Sequence, residues 1–384
     1  MDQTKKKKCL SCGLCEGLCP TVALRLKYET KEGIYRPNVD KAVCTNCGIC
    51  DRACIIDGYS LCRSSEKNYI GDFLKIQLFS ATDKTVRRGA SSGGVANRLI
   101  KYLIETKMVE AVLMVCEKTG SRMETGYIVL TAANLHLLNE VPRKFASRYC
   151  VVPILVGIKR IQKYSKVATV GTPCQIYGVT KYEQLKGKEV IKIGIACSQG
   201  INYKATELML KKRNADGNKV YYRGDGWPGK NTIVNNGKCN DEDHLDSLFN
   251  LYYASQIFRN PACNNCNDQF NEYADISFFD YWNEQEKRRE HIGKTGVIIR
   301  NKKMEECIND MEKKGVIIGY GDISLQSAIQ SQSWAIRLKK NPYSFRLRIF
   351  FAITEIERKL GVYRLYSRKM FEKHSELFHR LLDY

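Results

Sequence analysis

No apolar run in this 384-residue sequence approaches the roughly eighteen residues that a membrane-spanning helix needs. Val151-Val152-Pro153-Ile154-Leu155-Val156 is among the longest. No apolar segment follows the lysines at positions 5–8, so the pattern of a secretory signal peptide is missing and a cytoplasmic protein is expected. Signatures of a helix-turn-helix, a zinc finger or a base-stacking aromatic platform are absent, which leaves nucleic acid an unexpected partner. Low-complexity tracts are missing, and the one internal repeat is a cysteine motif. Proline is scarce, at 8 residues, whereas cysteine is abundant, at 17. Disulfide scaffolds are usually short secreted chains; in a reducing compartment, cysteines at short regular spacings are ligands more often than crosslinks.

Lys and Arg number 62 against 41 Asp and Glu, a formal net charge of +21. A surface of that sign steers acidic partners and anionic small molecules. Residues 1–62 are cysteine-punctuated and almost without helical periodicity, as in a unit folded around bound metal. From Phe73 the character changes. Strand-like runs at 73–79, 109–115, 127–131, 165–170, 190–196, 275–279 and 297–300 alternate with amphipathic helical stretches at 95–107, 152–164, 203–213, 244–257 and 302–314. The alternation predicts an α/β domain over residues 66–335 with a mixed, mainly parallel sheet. After Pro342 the pattern is helical only, at 345–360 and 363–382. This basic amphipathic tail, 342–384, reads as a helical hairpin packed on the domain, with docking to a membrane surface or a membrane-bound complex as the alternative.

Cys9, Cys12, Cys15 and Cys19, followed by Pro20, spell C-x2-C-x2-C-x3-C-P, and Cys44, Cys47, Cys50 and Cys54 repeat the spacing without the proline. Spacings of two wrap three thiolates round one cubane, and the cysteine after the longer gap crosses to the other. Cys9, Cys12, Cys15 and Cys54 are therefore expected to hold one [4Fe–4S] cluster, and Cys44, Cys47, Cys50 and Cys19 a second, in an α+β ferredoxin-like domain. Gly13 and Gly48 offer unhindered backbone whose N–H groups can point at cluster sulfurs. Zinc is the weaker reading, because tetrahedral zinc sites usually divide their ligands into two separated pairs. Cys62 lies outside the pattern and reads as a buried or spare thiol.

Beyond residue 62, four cysteines sit in distinctive contexts: Gly171-Thr172-Pro173-Cys174-Gln175, Gly194-Ile195-Ala196-Cys197, and Cys263-Asn264-Asn265-Cys266. The first two each follow a predicted strand, and sites assemble at the carboxyl ends of such strands. The residues alone leave a cluster and a zinc site equally open for Cys174, Cys197, Cys263 and Cys266. Cys116, Cys150, Cys239 and Cys307 read as buried small hydrophobes. In Arg87-Arg88-Gly89-Ala90-Ser91-Ser92-Gly93-Gly94, a turn opens a predicted helix. Arg88, Ser91, Ser92, Gly93 and Gly94 could cradle a pyrophosphate there, or the turn could be only a cap. The second glycine-bearing turn, from Tyr222 through Trp227 to Lys230, displays an aromatic plane and cations. It reads either as the wall of a planar pocket or as a hairpin turn, with Arg223 or Lys230 placed to meet an anion. No residue carries a signature that assigns it a catalytic role.

Taken in order, Ser91-Ser92-Gly93-Gly94, Gly171-Thr172-Pro173-Cys174-Gln175, the segment 194–197, Cys263-Asn264-Asn265-Cys266, and Ala274-Asp275-Ile276-Ser277 with Asp280, Tyr281 and Trp282 make the chain resemble the family of coenzyme F420 hydrogenase/dehydrogenase beta subunits over roughly residues 1–330. The resemblance implies FAD in the cradle, with Trp227 and Lys230 nearby, and a third [4Fe–4S] cluster on Cys174, Cys197, Cys263 and Cys266. It also implies an oxidoreductase that passes electrons between clusters and a small-molecule two-electron substrate, with a ferredoxin or a partner subunit at the one-electron end. Members resembling true deazaflavin enzymes carry a small glycine-serine-valine-glycine turn after Ala-Asp-Ile-Ser. Phe278-Phe279-Asp280-Tyr281-Trp282 stands here instead, so a deazaflavin substrate is only one of those implied. The alternative is a non-catalytic, polyferredoxin-like electron-transfer subunit of a larger complex.

Overall fold

A parallel strand with apolar side chains on both faces must be covered on both, and Val167–Gly171 is buried at every position. The computed structural model describes residues 8–57 and 69–382, other than 121, 122, 124, 141, 216–218, 236, 290 and 341–344. Cys62 and the expected domain boundaries at 62–66 and 342 lie outside the described residues. Eight strands form the main sheet: β1 Lys75–Ala81, β2 Ala111–Glu117, β3 Thr125–Leu130, β4 Val167–Gly171, β5 Ile191–Ile195, β6 Ile276–Asp280, β7 Thr295–Ile299 and β8 Ile317–Asp322. Their order is β8-β1-β7-β6-β5-β4-β2-β3. The central strands β6, β5, β4 and β2 run parallel, and the remaining pairings are antiparallel. The sheet is therefore mixed, with its parallel character confined to the centre.

Alternate side chains divide between the two faces, as the period of a strand requires. Val112, Met114, Ala168, Val170 and Val297 meet the helices Val95–Glu105 and Lys302–Lys313 through Leu99, Leu103, Met304 and Ile308. On the opposite face, Leu113 and Val167 pack against Leu155, Ile158, Val179 and Tyr182. Ile76, Leu78 and Ile298 pack there against Ala328 and Ile336. A smaller antiparallel sheet of Lys219–Tyr221, Lys230–Asn235 and Lys238–Asp243 stands beside the main one.

All seven runs expected as strands are strands. The expected helix 152–164 is replaced by the short turns Ile154–Gly157 and Ile158–Ile161; Gly157, where they meet, packs so closely on Leu113 and Tyr127 that no side chain fits there. The expected helix 244–257 narrows to Leu248–Ala254, which starts where Ser247 Oγ accepts from Asn250 N. Cys116, Cys150 and Cys307 are buried as expected. Cys239 is exposed instead, on the outermost strand of the small sheet.

In the N-terminal segment, the helices Leu14–Leu18 and Ile49–Arg52 flank a hairpin of Leu24–Glu29 and Ile34–Val39. Leu14, Leu18 and Ala53 join the apolar cluster around Leu155 and Ile158, and Leu155 N donates to Cys12 O at 3.0 Å. Contact is closest at Gly17, where a Cβ would collide with the Leu155 carbonyl oxygen and the Ile158 side chain. Gly17→Ala is therefore expected to lower stability by about 1–3 kcal/mol, read as an earlier unfolding midpoint in urea. An unchanged midpoint would mean that this seam is loose.

At the other end, Phe345–Leu360 and Arg368–Leu382 pack on each other through Phe350, Phe351 and Phe378. Phe371 lies among Tyr252, Phe258 and Tyr363 of the body. The second helix begins at Arg368 rather than 363, after a short turn at Val362–Leu365 led by Gly361 at φ 73°. Among the described residues no helix is long and apolar enough to cross a membrane.

Candidate functional site

The carboxyl ends of β2, β4, β5 and β6 open onto one cavity of about 650 Å³, within the size range of cofactor and substrate pockets. Cys174 reaches it from the first turn of the helix Pro173–Lys186. That helix starts sharply because Thr172 and Gln175 cap each other and proline occupies its first position. Cys197 reaches it two residues beyond β5. The two strand ends are tied by buried Asn271, whose Nδ2 donates to Gly171 O at 2.8 Å and to Ile195 O at 3.4 Å. Gly194 makes room for Asn271, since a Cβ there would lie 2.6 Å from the asparagine Cβ. The turn Pro261–Asn265, capped by Asn260 Oδ1 accepting from Ala262 N at 3.0 Å, brings in Cys263 and Cys266.

These four thiols sense one another. Burial pushes the Cys197 thiol up to about 12, with Cys263 and Cys266 adding to the shift. Burial likewise raises Cys174 well above its ordinary value, with Cys197, Cys266 and Cys263 contributing. Donors already face the sulfurs: Gly200 N donates to Cys263 Sγ at 3.2 Å, and Lys339 Nζ to Cys266 Sγ at 3.3 Å. For Lys339, burial pulls the ammonium down, but Cys266, Cys197 and Asp268 outweigh it and hold the group above its ordinary value. Among the described residues no group of three or more Cys, His, Asp or Glu side chains is arranged to hold a metal ion.

In the N-terminal segment, the crossed set comes together. Burial raises Cys12 to about 12, with Cys9 and Cys54 adding, and raises Cys15, with Cys12, Cys9 and Cys54 adding. The second set is not gathered in this way. Cys50 is raised by burial, with Asp51 and Cys47 adding, while Cys19 is bonded within its own turn by Leu24 N at 3.4 Å. The backbone repeats across the two motifs: Ser11 and Gly13 have φ of 56° and 94°, Asn46 and Gly48 of 53° and 70°. Left-handed residues in such turns point successive N–H groups into one concavity, which favours an anion. Leu10, Ile55, Tyr177, Ala262 and Cys266 form one apolar cluster, against which Cys12 and Cys174 pack. One apolar cluster thus contacts a thiol of the N-terminal set and two thiols of the cavity.

Ser91, Ser92 and Gly94 also line the cavity, where the helix Val95–Glu105 begins. Their hydroxyls already have partners: Ser91 Oγ accepts from Ser147 N at 2.7 Å, and Ser92 Oγ donates to Lys294 O at 2.7 Å. Gly93 faces away and donates its N–H to Thr295 Oγ1 at 2.8 Å. Arg88 pairs with Asp225 at 2.7 Å, and Lys230 lies 3.7 Å from Asp225 and 3.8 Å from Asp241. Trp227 is buried against Trp282, with ring centroids 4.9 Å apart. Gly93, Arg88, Trp227 and Lys230 do not line the cavity; Trp282 and Arg223 do.

Sequence reasoning missed Arg148, Tyr149, His244, Tyr253, Gln332 and Lys339 as lining residues. Nothing in their spacing singles them out, because only the tertiary fold brings these loop and helix positions together. His244 is 5% exposed, and its Nδ1 has no partner among the described residues. Burial, reinforced by the Arg223 charge, pushes its imidazole down to about 2. A histidine held neutral in the fold and titrating at its ordinary value when unfolded contributes stability that is complete above that value and is lost as pH falls. Between pH 7 and 5, the native protein is expected to lose about 2 kcal/mol more than His244→Phe, measured by urea unfolding at both values. Parallel losses would place the proton elsewhere.

The sequence matches one family in two adjoining segments. Residues 78–159 match the N-terminal part of the coenzyme F420 hydrogenase/dehydrogenase beta subunit, and residues 164–319 its C terminus. One of the subunits of the F(420)H(2) dehydrogenase of Methanosarcina mazei is 24% identical over 287 residues, covering 70% of this chain and 74% of that protein. The beta subunit of coenzyme F420 hydrogenase of Methanosarcina barkeri is 21% identical over 224 residues, covering 55% of this chain and 72% of that one. A chain of the solved F420-reducing [NiFe] hydrogenase complex from Methanosarcina barkeri shares the fold, with a TM-score of 0.53 at 20% identity over 72% of this chain and 93% of that one. The matched segments together cover more than half of the sequence, and the chain belongs to the family of coenzyme F420 hydrogenase/dehydrogenase beta subunits.

Proposed function

We propose that the chain is an iron–sulfur flavoprotein oxidoreductase. It passes electrons between [4Fe–4S] clusters and a two-electron substrate through FAD in the cavity, with reduced coenzyme F420 as the first substrate to try. A ferredoxin or a partner subunit stands at the one-electron end. The observation that carries this reading is that Cys174, Cys197, Cys263 and Cys266 line one cavity together with the N-terminus of the helix Val95–Glu105, and that a single apolar cluster joins Cys12 to Cys174 and Cys266.

The residues suit such groups. Cys174, Cys197, Cys263 and Cys266 would hold a cluster, and their thiolate charge would be met by Lys339 and by buried Arg259, which donates to Cys263 O at 3.0 Å. The two N-terminal motifs would hold the other two clusters. Backbone N–H groups at the start of Val95–Glu105 would take the negative end of a dinucleotide. Arg148 and Arg223 place further positive charge in the cavity, while Tyr149, Tyr253 and Trp282 give a planar ring apolar surface to lie on. Bound flavin supplies the conversion between paired and single electrons.

Iron, sulfide, zinc and flavin analysis of protein purified without oxygen tests this. About twelve irons and one FAD per chain are expected. Eight irons without flavin would overturn the reading in favour of a non-catalytic electron-transfer adaptor.

A further inference from the structure

Lys339 lies beyond the last family-matched residue, 319, on the helix Ser333–Lys340. It is 7% exposed. An ammonium has three donors, and each has an acceptor here: Cys266 Sγ at 3.3 Å, Asp268 O at 2.6 Å and Cys197 O. Two of these three residues carry candidate ligand thiols. The charge is also held in place. Next to it, Lys340 Nζ pairs with fully buried Glu272 at 2.5 Å. Just before the helix, Gln332 Nε2 donates to Asp280 O at 2.6 Å and Gln332 Oε1 accepts from Gln269 at 3.0 Å.

We infer that Lys339 is a positioning residue that sets the reduction potential of the centre on Cys174, Cys197, Cys263 and Cys266. This rests on the cluster reading above. A buried cation touching a ligand sulfur favours whichever oxidation state is more negative. When the centre gains one electron its negative charge grows, so the fixed ammonium stabilises the reduced state more than the oxidised one. The C-terminal segment is thereby part of the redox site, although the family-matched residues end before it.

The test is an EPR-monitored redox titration of the full-length, anaerobically purified protein with Lys339→Met and Lys339→Arg, iron being counted in each. With iron content unchanged, K339M is expected to shift one cluster signal to lower potential. Its reduced-to-oxidised ratio at the native midpoint should fall about tenfold or more, while the other signals stay in place and K339R restores most of the shift. If K339M loses four irons, the same reading is taken on K339Q, which keeps hydrogen-bonding capacity without the charge. Full iron with no signal moved would overturn the inference and leave Lys339 a purely structural residue. A native protein with only eight irons would instead overturn the cluster reading beneath it.

Discussion

Replacing Arg223 with methionine is expected to destabilise the protein by about 3–5 kcal/mol, the usual consequence of removing one partner of a buried ion pair. Arg223 is 2% exposed and donates to Asp280 Oδ2 at 3.0 Å and to Ser91 O at 2.6 Å. Its guanidinium lies 5.4 Å from the Trp282 ring centroid. One side chain therefore joins the Ser-Gly turn to the end of β6 and lies over the Trp282 ring. Removing it leaves the Asp280 carboxylate without its cation and frees the turn that begins the helix Val95–Glu105. Pairing the change with Asp280→Asn should recover a substantial part of the loss, because the uncompensated charge is then gone. Urea unfolding of both variants checks this, and equal stability of the single and double variants would show that the ion pair is not what matters.

The second large effect concerns Cys263. Cys263→Ala is expected to cut iron from about twelve to about eight per chain and to disconnect the cavity from the N-terminal clusters. Cys307→Ala, in a buried cysteine packed near Met108 and far from the cavity, should leave iron unchanged. Loss of iron from neither variant would exclude Cys263 as a ligand. The contrast separates a thiol that is merely buried from one that lines the cavity with three others.

What could be read from the sequence is what local patterning controls. The seven strand runs and the helix Phe345–Leu360 follow from periodicity. The helix Pro173–Lys186 was not legible, because it is wedged between the sheet and the N-terminal segment. Its apolar residues, Ile176, Tyr177, Val179 and Tyr182, accordingly spread round it rather than forming one stripe. β8 was not legible either, as an irregular edge strand with glycines at 319 and 321. In the candidate site, motif residues were visible because their spacing is unusual. Arg148, Tyr149 and His244 were not, since only the tertiary fold brings them to the cavity. Lys339 carries no motif of its own, and only its burial distinguishes it. Arg88 and Lys230, which a local motif singles out, pair with Asp225 and, for Lys230, also with Asp241, and neither lines the cavity.

The most direct test of a cavity that joins a two-electron carrier to one-electron centres is to count electrons. Flavin-loaded, anaerobic full-length protein is titrated with a two-electron donor such as reduced coenzyme F420, and absorbance is followed to the endpoint. About five electrons per chain are expected, two for the flavin and one for each of three clusters, with flavin and cluster bands bleaching together. An endpoint of about two electrons, with the cluster bands unchanged, would contradict it.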